Sequence, residues 1–231
     1  MKTRKILVII FCVTFVITST SWQTSELESK KRFKLSKQEK REGFKILFDG
    51  SNMDEWTGNL KEYVQEEDYI VMRPAKEQGG NLYSKDEFEN FILRFEFQLP
   101  PEGNNGLGIR HTIVERGYSG MELQILDNEH PSYKDLKPWQ YHGSVYAHIP
   151  AKRGAMRPAG EWNFQEVIAN GNNLKITLNG VVILDCNLVE DTKYMEDKDI
   201  DRTIFNKKGH LAFLGHGYPV KFKNIRIKEL K

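Results

Sequence analysis

The clearest pattern in the chain is a regular alternation of apolar and polar residues between positions 91 and 99. Apolar residues occupy every second position from Phe91 to Leu99, while Arg94, Glu96 and Gln98 lie between them. A period of two is the period of a β-strand with one buried face. The two prolines at positions 100 and 101 end the pattern. The alternation therefore predicts a strand with a core face and a solvent face.

Similar short segments, bounded by turn residues, recur from Gly43 to the end of the chain. Asn179-Gly180 separates two of them, and this dipeptide between apolar segments is a strong signal for a β-hairpin. No long segment after Gly43 keeps a helical period. The pattern predicts an all-β fold, a two-sheet antiparallel sandwich. The other predicted strands lie at 44–48, 69–72, 107–111, 121–127, 144–146, 164–169, 174–178, 181–184, 210–214 and 220–227.

The predicted strand at 121–127 carries polar residues on its second face. Glu122 and Gln124 lie side by side opposite the apolar residues of this strand, and Asp127 follows just beyond them. A row of this kind is either a hydrated outer surface or the floor of a cleft that binds a polar ligand. These residues are therefore candidates for a functional site.

A second group of candidates lies in the predicted strand at 107–111 and just before it. Arg110 follows two glycines, which let a ligand approach the backbone closely. Its guanidinium group could bind a carboxylate or stabilise an anion, or it could form a salt bridge with Glu122 on a neighbouring strand. Asn105, at the start of the same segment, is a candidate for substrate contact.

Histidines supply the candidates for proton transfer. Histidine titrates near neutral pH, and His142 and His216 both lie in glycine-containing segments. The glycines on both sides of His216 let a ligand approach it closely. Tyr146, close to His142 in the sequence, could orient a hydroxyl group. The histidine pair at 142 and 148 does not have the spacing of a zinc site.

The tryptophans divide into two groups. Trp56 and Trp162 each lie near the start of a predicted strand, so we expect them to pack in the core. Trp139 lies in a long irregular stretch between residues 129 and 142, and long loops in compact domains often carry function. Trp139 is therefore the better candidate for contact with a ligand.

The N-terminal residues have the features of an export signal. Lys2, Arg4 and Lys5 precede an apolar run at 6–17, and small polar residues follow at 18–21. We expect a signal peptide at 1–21, a charged linker at 22–42 that could instead form a short exposed helix, and a folded domain at 43–231. The protein is expected to be exported to the periplasm or the extracellular space. An N-terminal anchor helix is the alternative, but the apolar run is short for a membrane span.

Cleavage of this signal would change the charge and the cysteine count. Removal of three basic residues takes the formal net charge from +2 to −1, and Cys186 becomes the only cysteine. No intramolecular disulfide can then form, and Cys186 is expected to be a small core residue. The basic residues of the linker are not accompanied by a nucleic-acid-binding motif, so we expect no nucleic-acid partner.

Several motifs, in order along the chain, resemble the 3-keto-disaccharide hydrolase-like family. No single motif is specific, but the ordered series is, and it spans nearly everything from Gly43 to Leu230. It comprises 46–50 with Trp56, 105–110, 122–128, 143–146, 158–163, 178–180 and 216–227.

The resemblance implies a concanavalin A-like jelly roll and cleavage of glycosides that are oxidised at C3. A ketone at C3 acidifies the proton on C2, so a base can remove this proton and the C1 oxygen can leave by elimination. Addition of water then completes a net hydrolysis. This reaction needs a base, an acid and a group that stabilises the enolate. The residue types suggest Glu122, His142 or His216 as base or acid, and Arg110 as the anion stabiliser.

The same resemblance suggests roles for the remaining candidate residues. Gln124 and Tyr146 are suited to orient sugar hydroxyls, and a divalent cation held by Glu122 and Asp127 could replace part of the role of Arg110. Two rival functions are a conventional jelly-roll glycosidase and a non-catalytic, lectin-like sugar-binding module. Conventional glycosidases generally use two carboxyl groups, and Gln124 supplies an amide where a second carboxylate would be expected.

Overall fold

The structure is a computed structural model that describes residues 32–74, 80–113, 119–193, 195–196 and 199–231. The predicted signal segment at 1–21 lies outside the described residues. The elements of the fold are α1 (Lys37–Glu42), β1 (Lys45–Phe48), β2 (Trp56–Gly58), β3 (Tyr63–Glu66), β4 (Tyr69–Met72), β5 (Asn81–Phe88), β6 (Phe91–Gln98), β7 (Asn104–His111), β8 (Met121–Leu126), β9 (Trp162–Asn170), β10 (Asn173–Leu178), β11 (Val181–Asn187), α2 (Leu188–Thr192), β12 (Gly209–Gly215) and β13 (Lys221–Glu229).

The strands form two antiparallel sheets. The larger sheet has the order β11-β10-β9-β6-β13-β4-β3, and β1 also pairs with β13. The smaller sheet has the order β2-β5-β12-β7-β8. The sheets face each other across one main hydrophobic core, so the predicted all-β, two-sheet jelly-roll sandwich is confirmed. No helix among the described residues is long and apolar enough to cross a membrane.

Aromatic residues join the two sheets. Phe213 of β12 stacks on Phe222 of β13 with ring centroids 3.7 Å apart, and Trp56 of β2 stacks on Phe213 at 5.4 Å. The apolar residues of β6 on the core face, Phe91, Leu93, Phe95 and Phe97, are almost completely buried, as the alternation predicted. Burial of these large rings stabilises the packing of the two sheets.

The predicted hairpin at Asn179-Gly180 is confirmed. These two residues connect β10 and β11, with φ angles of 50° and 86°. A two-residue turn with positive φ at both positions matches the twist of the two strands, and asparagine and glycine adopt this conformation at low cost.

The C-terminal end of the predicted linker is a short helix that contacts the larger sheet. Helix α1 lies within this segment, and its Glu39 carboxylate is buried between Arg94 and Arg226, at 3.3 Å and 2.8 Å. Burial acts to raise the pKa of Glu39, but hydrogen bonds from Ser36 and Arg226 lower it to about 2. The segment at 32–42 therefore packs on the larger sheet as part of the folded unit.

The expectations for three other residues had different outcomes. Trp56 is buried in the core, where its indole N–H donates a hydrogen bond to the Leu47 carbonyl oxygen at 2.9 Å. Trp162 is only partly buried, and the ammonium group of Lys223 lies over its ring, 4.1 Å from the centroid. The core prediction was therefore wrong for Trp162. Cys186 is partly buried against the core, and burial raises its pKa to about 12.

Candidate active site

The polar face of β8 lies on the side of the smaller sheet that is directed away from the core. In the pairing of β7 with β8, Gly108 lies opposite Glu122 and Gly106 lies opposite Gln124. Paired residues in a sheet share a face, so two glycines lie beside these two polar side chains. A methyl group built on Gly106 would overlap the Glu122 carboxylate. The Glu122 side chain can therefore lie over β7 only because position 106 is a glycine.

Glu122 and His216 form the central pair of the site. Oε1 of Glu122 is 3.8 Å from Nε2 of His216. The Glu122 side chain is only 3% exposed, whereas the His216 side chain is 40% exposed. His216 directly follows β12, and the next residue, Gly217, has a φ of 82°. A buried carboxylate thus lies next to a histidine that solvent and ligands can reach.

The segment after the long loop brings Tyr146 to the same place. Val145 forms a β-bridge with Leu123, and the Tyr146 N–H donates a hydrogen bond to the Glu122 carbonyl oxygen at 3.0 Å. Because residues alternate between faces, Tyr146 lies on the face of Glu122. The Trp139 ring contacts Tyr146 edge to face, with centroids 5.5 Å apart. The structure therefore brings both predicted aromatic residues next to the Glu122 strand.

Gln124 lies on the same face as Glu122, and it is buried. Its Oε1 accepts a hydrogen bond from the Ile125 N–H at 3.2 Å. The backbone of Gln124 also bonds to the 143–144 segment, through Ser144 O at 3.0 Å and the Gly143 N–H at 2.8 Å. Glu122, Gln124, His216, Tyr146 and Trp139 therefore lie near one another along one face of the smaller sheet, and their roles at a substrate site stay predictions.

Asn105 does not belong to this site. It lies opposite Ile125 on the core face of β7, and its Nδ2 donates a hydrogen bond to the Tyr63 hydroxyl at 3.0 Å. Its neighbour Asn104 lies opposite Leu126, on the face that carries Gln124. The sequence alone could have distinguished the two asparagines. Residue 105 lies two and four positions before the apolar residues Leu107 and Ile109, so it shares their core face. The predicted substrate contact at Asn105 is corrected accordingly.

The prediction for Arg110 is also corrected. Its guanidinium group donates hydrogen bonds to the carbonyl oxygens of Glu89 at 2.9 Å, Gly171 at 2.9 Å and Asn206 at 3.3 Å. Arg110 has a φ of 55°, and the pairing of β12 with β7 shifts register beside it. This bulge turns the side chain away from the polar face. Arg110 therefore ties loops together, and no ion pair joins it to Glu122 within the described structure.

His142 lies in the core instead of the cleft. Its ring stacks on Phe97 with centroids 5.1 Å apart, and its Nε2 is hydrogen-bonded to Gln165 Oε1 at 2.8 Å. Burial lowers the pKa of His142 to about 4, although the hydrogen bond to Gln165 acts in the opposite direction. A neutral, buried imidazole cannot contact a substrate in the cleft, so His142 is corrected to a core residue.

Asp127 takes a structural role next to the cleft. Its Oδ2 accepts a hydrogen bond from the Glu102 N–H at 3.1 Å. It also lines a separate pocket of about 360 Å³ beyond the end of β8. Among the residues that the structure describes, no group of three or more His, Cys, Asp or Glu side chains is placed to hold a metal ion.

The comparison with protein families decides the family of this chain. The model of the 3-keto-alpha-glucoside-1,2-lyase-like domain matches residues 43–228. The chain belongs to this family. Within it, the 3-keto-disaccharide hydrolase of Bacteroides thetaiotaomicron is 28% identical over 229 residues, which cover 82% of this chain and 79% of the relative. The lyase-like domain therefore includes all of the polar face described above.

Solved structures support the fold of the lyase-like domain. A crystal structure of a candidate glycosyl hydrolase from Parabacteroides distasonis superposes with a TM-score of 0.75 at 24% identity, covering 87% of this chain and all of the other. A carbohydrate-binding module from Bacillus subtilis has a TM-score of 0.52 at 11% identity, covering 75% of this chain and 96% of the module. At these identities the likeness concerns the fold alone.

Proposed function

We propose that this protein cleaves glycosides oxidised at C3, by elimination across C1 and C2 followed by addition of water. The observation that carries the proposal is the Glu122–His216 pair, 3.8 Å apart on the polar face of the smaller sheet. Membership of the 3-keto-alpha-glucoside-1,2-lyase-like family supports the choice of substrate. The relative from Bacteroides thetaiotaomicron, named as a 3-keto-disaccharide hydrolase, supports it further.

The elimination requires one proton transfer from C2 and a second to the oxygen that leaves the adjacent carbon C1. The base takes the proton from C2, the electrons of that C–H bond form the C1=C2 double bond, and the C1–O bond breaks. An acid protonates the departing oxygen, and water then adds across C1=C2 to give the free 3-keto sugar. Two groups on one face, separated by the distance between Glu122 and His216, are suited to act on neighbouring positions of the ring.

We assign the base to Glu122 and the acid to His216. The Glu122 carboxylate is held in place by burial over Gly106, so its direction is fixed before substrate binds. His216 is exposed beside it, and imidazole is a common proton donor in enzyme active sites. Tyr146 and Gln124 on the same face then orient the sugar hydroxyls, and the Trp139 ring offers an apolar surface to the sugar.

The two rival functions predict different behaviour with unoxidised sugar. A conventional glycosidase generally needs a second carboxyl group in the cleft, and Asp127 is instead bonded to the backbone of Glu102. A lectin-like module would bind a glycoside without consuming it. The test is to incubate the protein with matched oxidised and unoxidised glucosides, with and without a chelator. Release of sugar from the 3-keto compound alone is expected, and cleavage of the unoxidised compound contradicts the proposal.

We also propose that the protein is exported. Support comes from the sequence of the first 21 residues, with Lys2, Arg4 and Lys5 before the apolar run at 6–17. A C3-oxidised carbohydrate outside the cytoplasm is then the proposed partner. Mass spectrometry of the N-terminus of protein recovered from the expected compartment is the test. Recovery of protein that retains residues 1–21 contradicts signal cleavage.

A further inference from the structure

Asn104 lies on the same sheet face as the Glu122–His216 pair. The residues of β7 that share this face are Asn104, Gly106 and Gly108, because they are opposite Leu126, Gln124 and Glu122 in β8. Asn104 is two residues from Gly106, so their backbone positions are about 6–7 Å apart along the strand. Since the Glu122 carboxylate lies over Gly106, Asn104 is approximately one sugar ring away from the carboxylate.

The pairing on the other side of β7 brings His216 to the same level. Gly215 of β12 lies opposite Asn105 of β7. In an antiparallel pair the next residue of β12 faces the preceding residue of β7, so His216 follows at the level of Asn104. Glu122, His216 and Asn104 therefore lie close together on this face, with the Glu122 carboxylate over Gly106.

The side chain of Asn104 has an unused hydrogen-bonding atom. Its Oδ1 is buried, and it has no hydrogen-bond partner among the residues that the structure describes. A buried polar atom without a partner costs free energy, and such atoms in native proteins are usually satisfied. By contrast, the neighbouring Asn105 is bonded to Tyr63 on the core face. A ligand hydroxyl next to the Glu122 carboxylate would provide the missing partner of Asn104.

We infer that Asn104 is a substrate-binding residue, whose amide hydrogen-bonds a hydroxyl of the oxidised sugar ring and holds that ring beside the Glu122 carboxylate. The inference rests on the proposed function. A sugar hydroxyl both donates and accepts, as a primary amide does, so the match does not depend on which way the amide is turned. Asn104 fixes the ring from one side, while Glu122 and His216 act on C2 and on the departing oxygen.

The first experiment compares the stability and the activity of two matched variants. Asn104→Leu removes an unsatisfied polar group, so its thermal midpoint should be unchanged or higher. Its kcat/KM on a 3-keto-glucoside should nevertheless fall about tenfold to a hundredfold, as expected for a lost hydrogen bond to substrate. Asn105→Leu, on the opposite face, should lower the thermal midpoint because the buried Tyr63 hydroxyl loses its partner. A stability loss in Asn104→Leu equal to that in Asn105→Leu contradicts the inference.

The second experiment identifies the hydroxyl. Wild-type protein and Asn104→Leu are assayed with 3-keto-glucosides that lack either the 4-hydroxyl or the 6-hydroxyl. One deletion should lower kcat/KM of the wild type by about tenfold or more, and the same deletion should have less than about a twofold effect in Asn104→Leu. Equal effects of each deletion in the two proteins overturn the inference.

Measuring the affinity of the protein for the same compounds makes failure of this inference distinguishable from failure of the proposed function. If the wild type leaves every 3-keto-glucoside intact, the proposed reaction is wrong, and calorimetric binding of these compounds then tests Asn104 without turnover. Weaker binding by Asn104→Leu, with loss of the discrimination between the deoxy compounds, supports the inference. Equal affinity of the two proteins overturns it. Turnover by the wild type with an unaffected Asn104→Leu overturns only the inference.

Discussion

Oε1 of Glu122 lies 3.8 Å from Nε2 of His216, and the carboxylate reaches this position by lying over Gly106. Three elements define this geometry: β8 carries the carboxylate, β7 leaves room for it, and the turn after β12 supplies the histidine. The packing between two sheets holds these elements, so the pair is set by the fold before any substrate binds.

Gly106→Ala tests whether the position of the carboxylate matters. The added methyl group would overlap Glu122 Oε1, so the carboxylate must move from its place beside His216. We expect kcat on a 3-keto-glucoside to fall about 100-fold, the effect that displacement of a catalytic group by roughly 1 Å can have. Steady-state kinetics with circular dichroism as a control for folding provides the measurement.

The matched control for Gly106→Ala is the double variant with Glu122→Gln. If the methyl group acts only by displacing the carboxylate, the double variant should be no slower than Glu122→Gln alone. If the loss of kcat in the double variant equals the product of the losses in the two single variants, Gly106 contributes in another way.

The sequence predicted the fold well because alternation is a local property. In β6 every second residue is apolar, and in the β10–β11 hairpin the two-residue turn determines the connection, so both were confirmed. Glu122 and Gln124 were placed on one face by the same reasoning. Trp162 shows the limit of prediction from alternation. The pattern divides the residues of a strand between two faces, but it does not say which face lies against the other sheet.

The errors at the site have physical causes that a local pattern does not contain. By alternation Arg110 should lie on the same face as Gly106 and Gly108. A bulge, with a positive φ at Arg110, instead directs its side chain to the neighbouring loops. His142 follows a long loop, and the loop path that carries its ring to Phe97 depends on tertiary packing. Asn105 could have been placed correctly, since it alternates with Leu107 and Ile109. Thus bulges and loops, unlike strands, required the structure.

Arg110→Met tests the structural role of the guanidinium group. The variant leaves the carbonyl oxygens of Glu89, Gly171 and Asn206 without this donor. We expect the free energy of unfolding to fall by about 2–4 kcal/mol, while kcat of the folded protein stays unchanged. Chemical denaturation and steady-state kinetics on the same sample check both expectations. A large loss of kcat with unaltered stability would restore the role as an anion stabiliser.

The buried His142 should make stability depend on pH. An unfolded histidine titrates near 6.5, whereas the pKa of His142 in the folded protein is lowered to about 4. Between these values the unfolded chain binds a proton that the folded protein does not. Stability should therefore fall as the pH decreases from 6.5 to 4, by about 1.4 kcal/mol per pH unit at most.

The control for this prediction replaces both members of the buried pair. His142→Phe with Gln165→Leu removes the titrating group and also two polar atoms, His142 Nδ1 and Gln165 Nε2, that have no hydrogen-bond partner in the described structure. The free energy of unfolding of this double variant, relative to that of the wild type, should increase as the pH falls from 6.5 to 4. His111, whose pKa is also lowered to about 4 by burial, contributes equally to both. Parallel pH profiles would show that His142 is not the source of the dependence.

The loss of deuterium from C2 of a 3-keto-glucoside tests the central claim most directly. With wild-type protein, deuterium should leave C2 as the aglycone is released, and this release should be slower than from the C2–H compound. In Glu122→Gln both rates should fall by a factor of about 10² to 10⁴, the usual contribution of a general base, with a buffer sample correcting for spontaneous exchange. Release of aglycone with deuterium retained at C2, or full turnover by Glu122→Gln, would contradict the account.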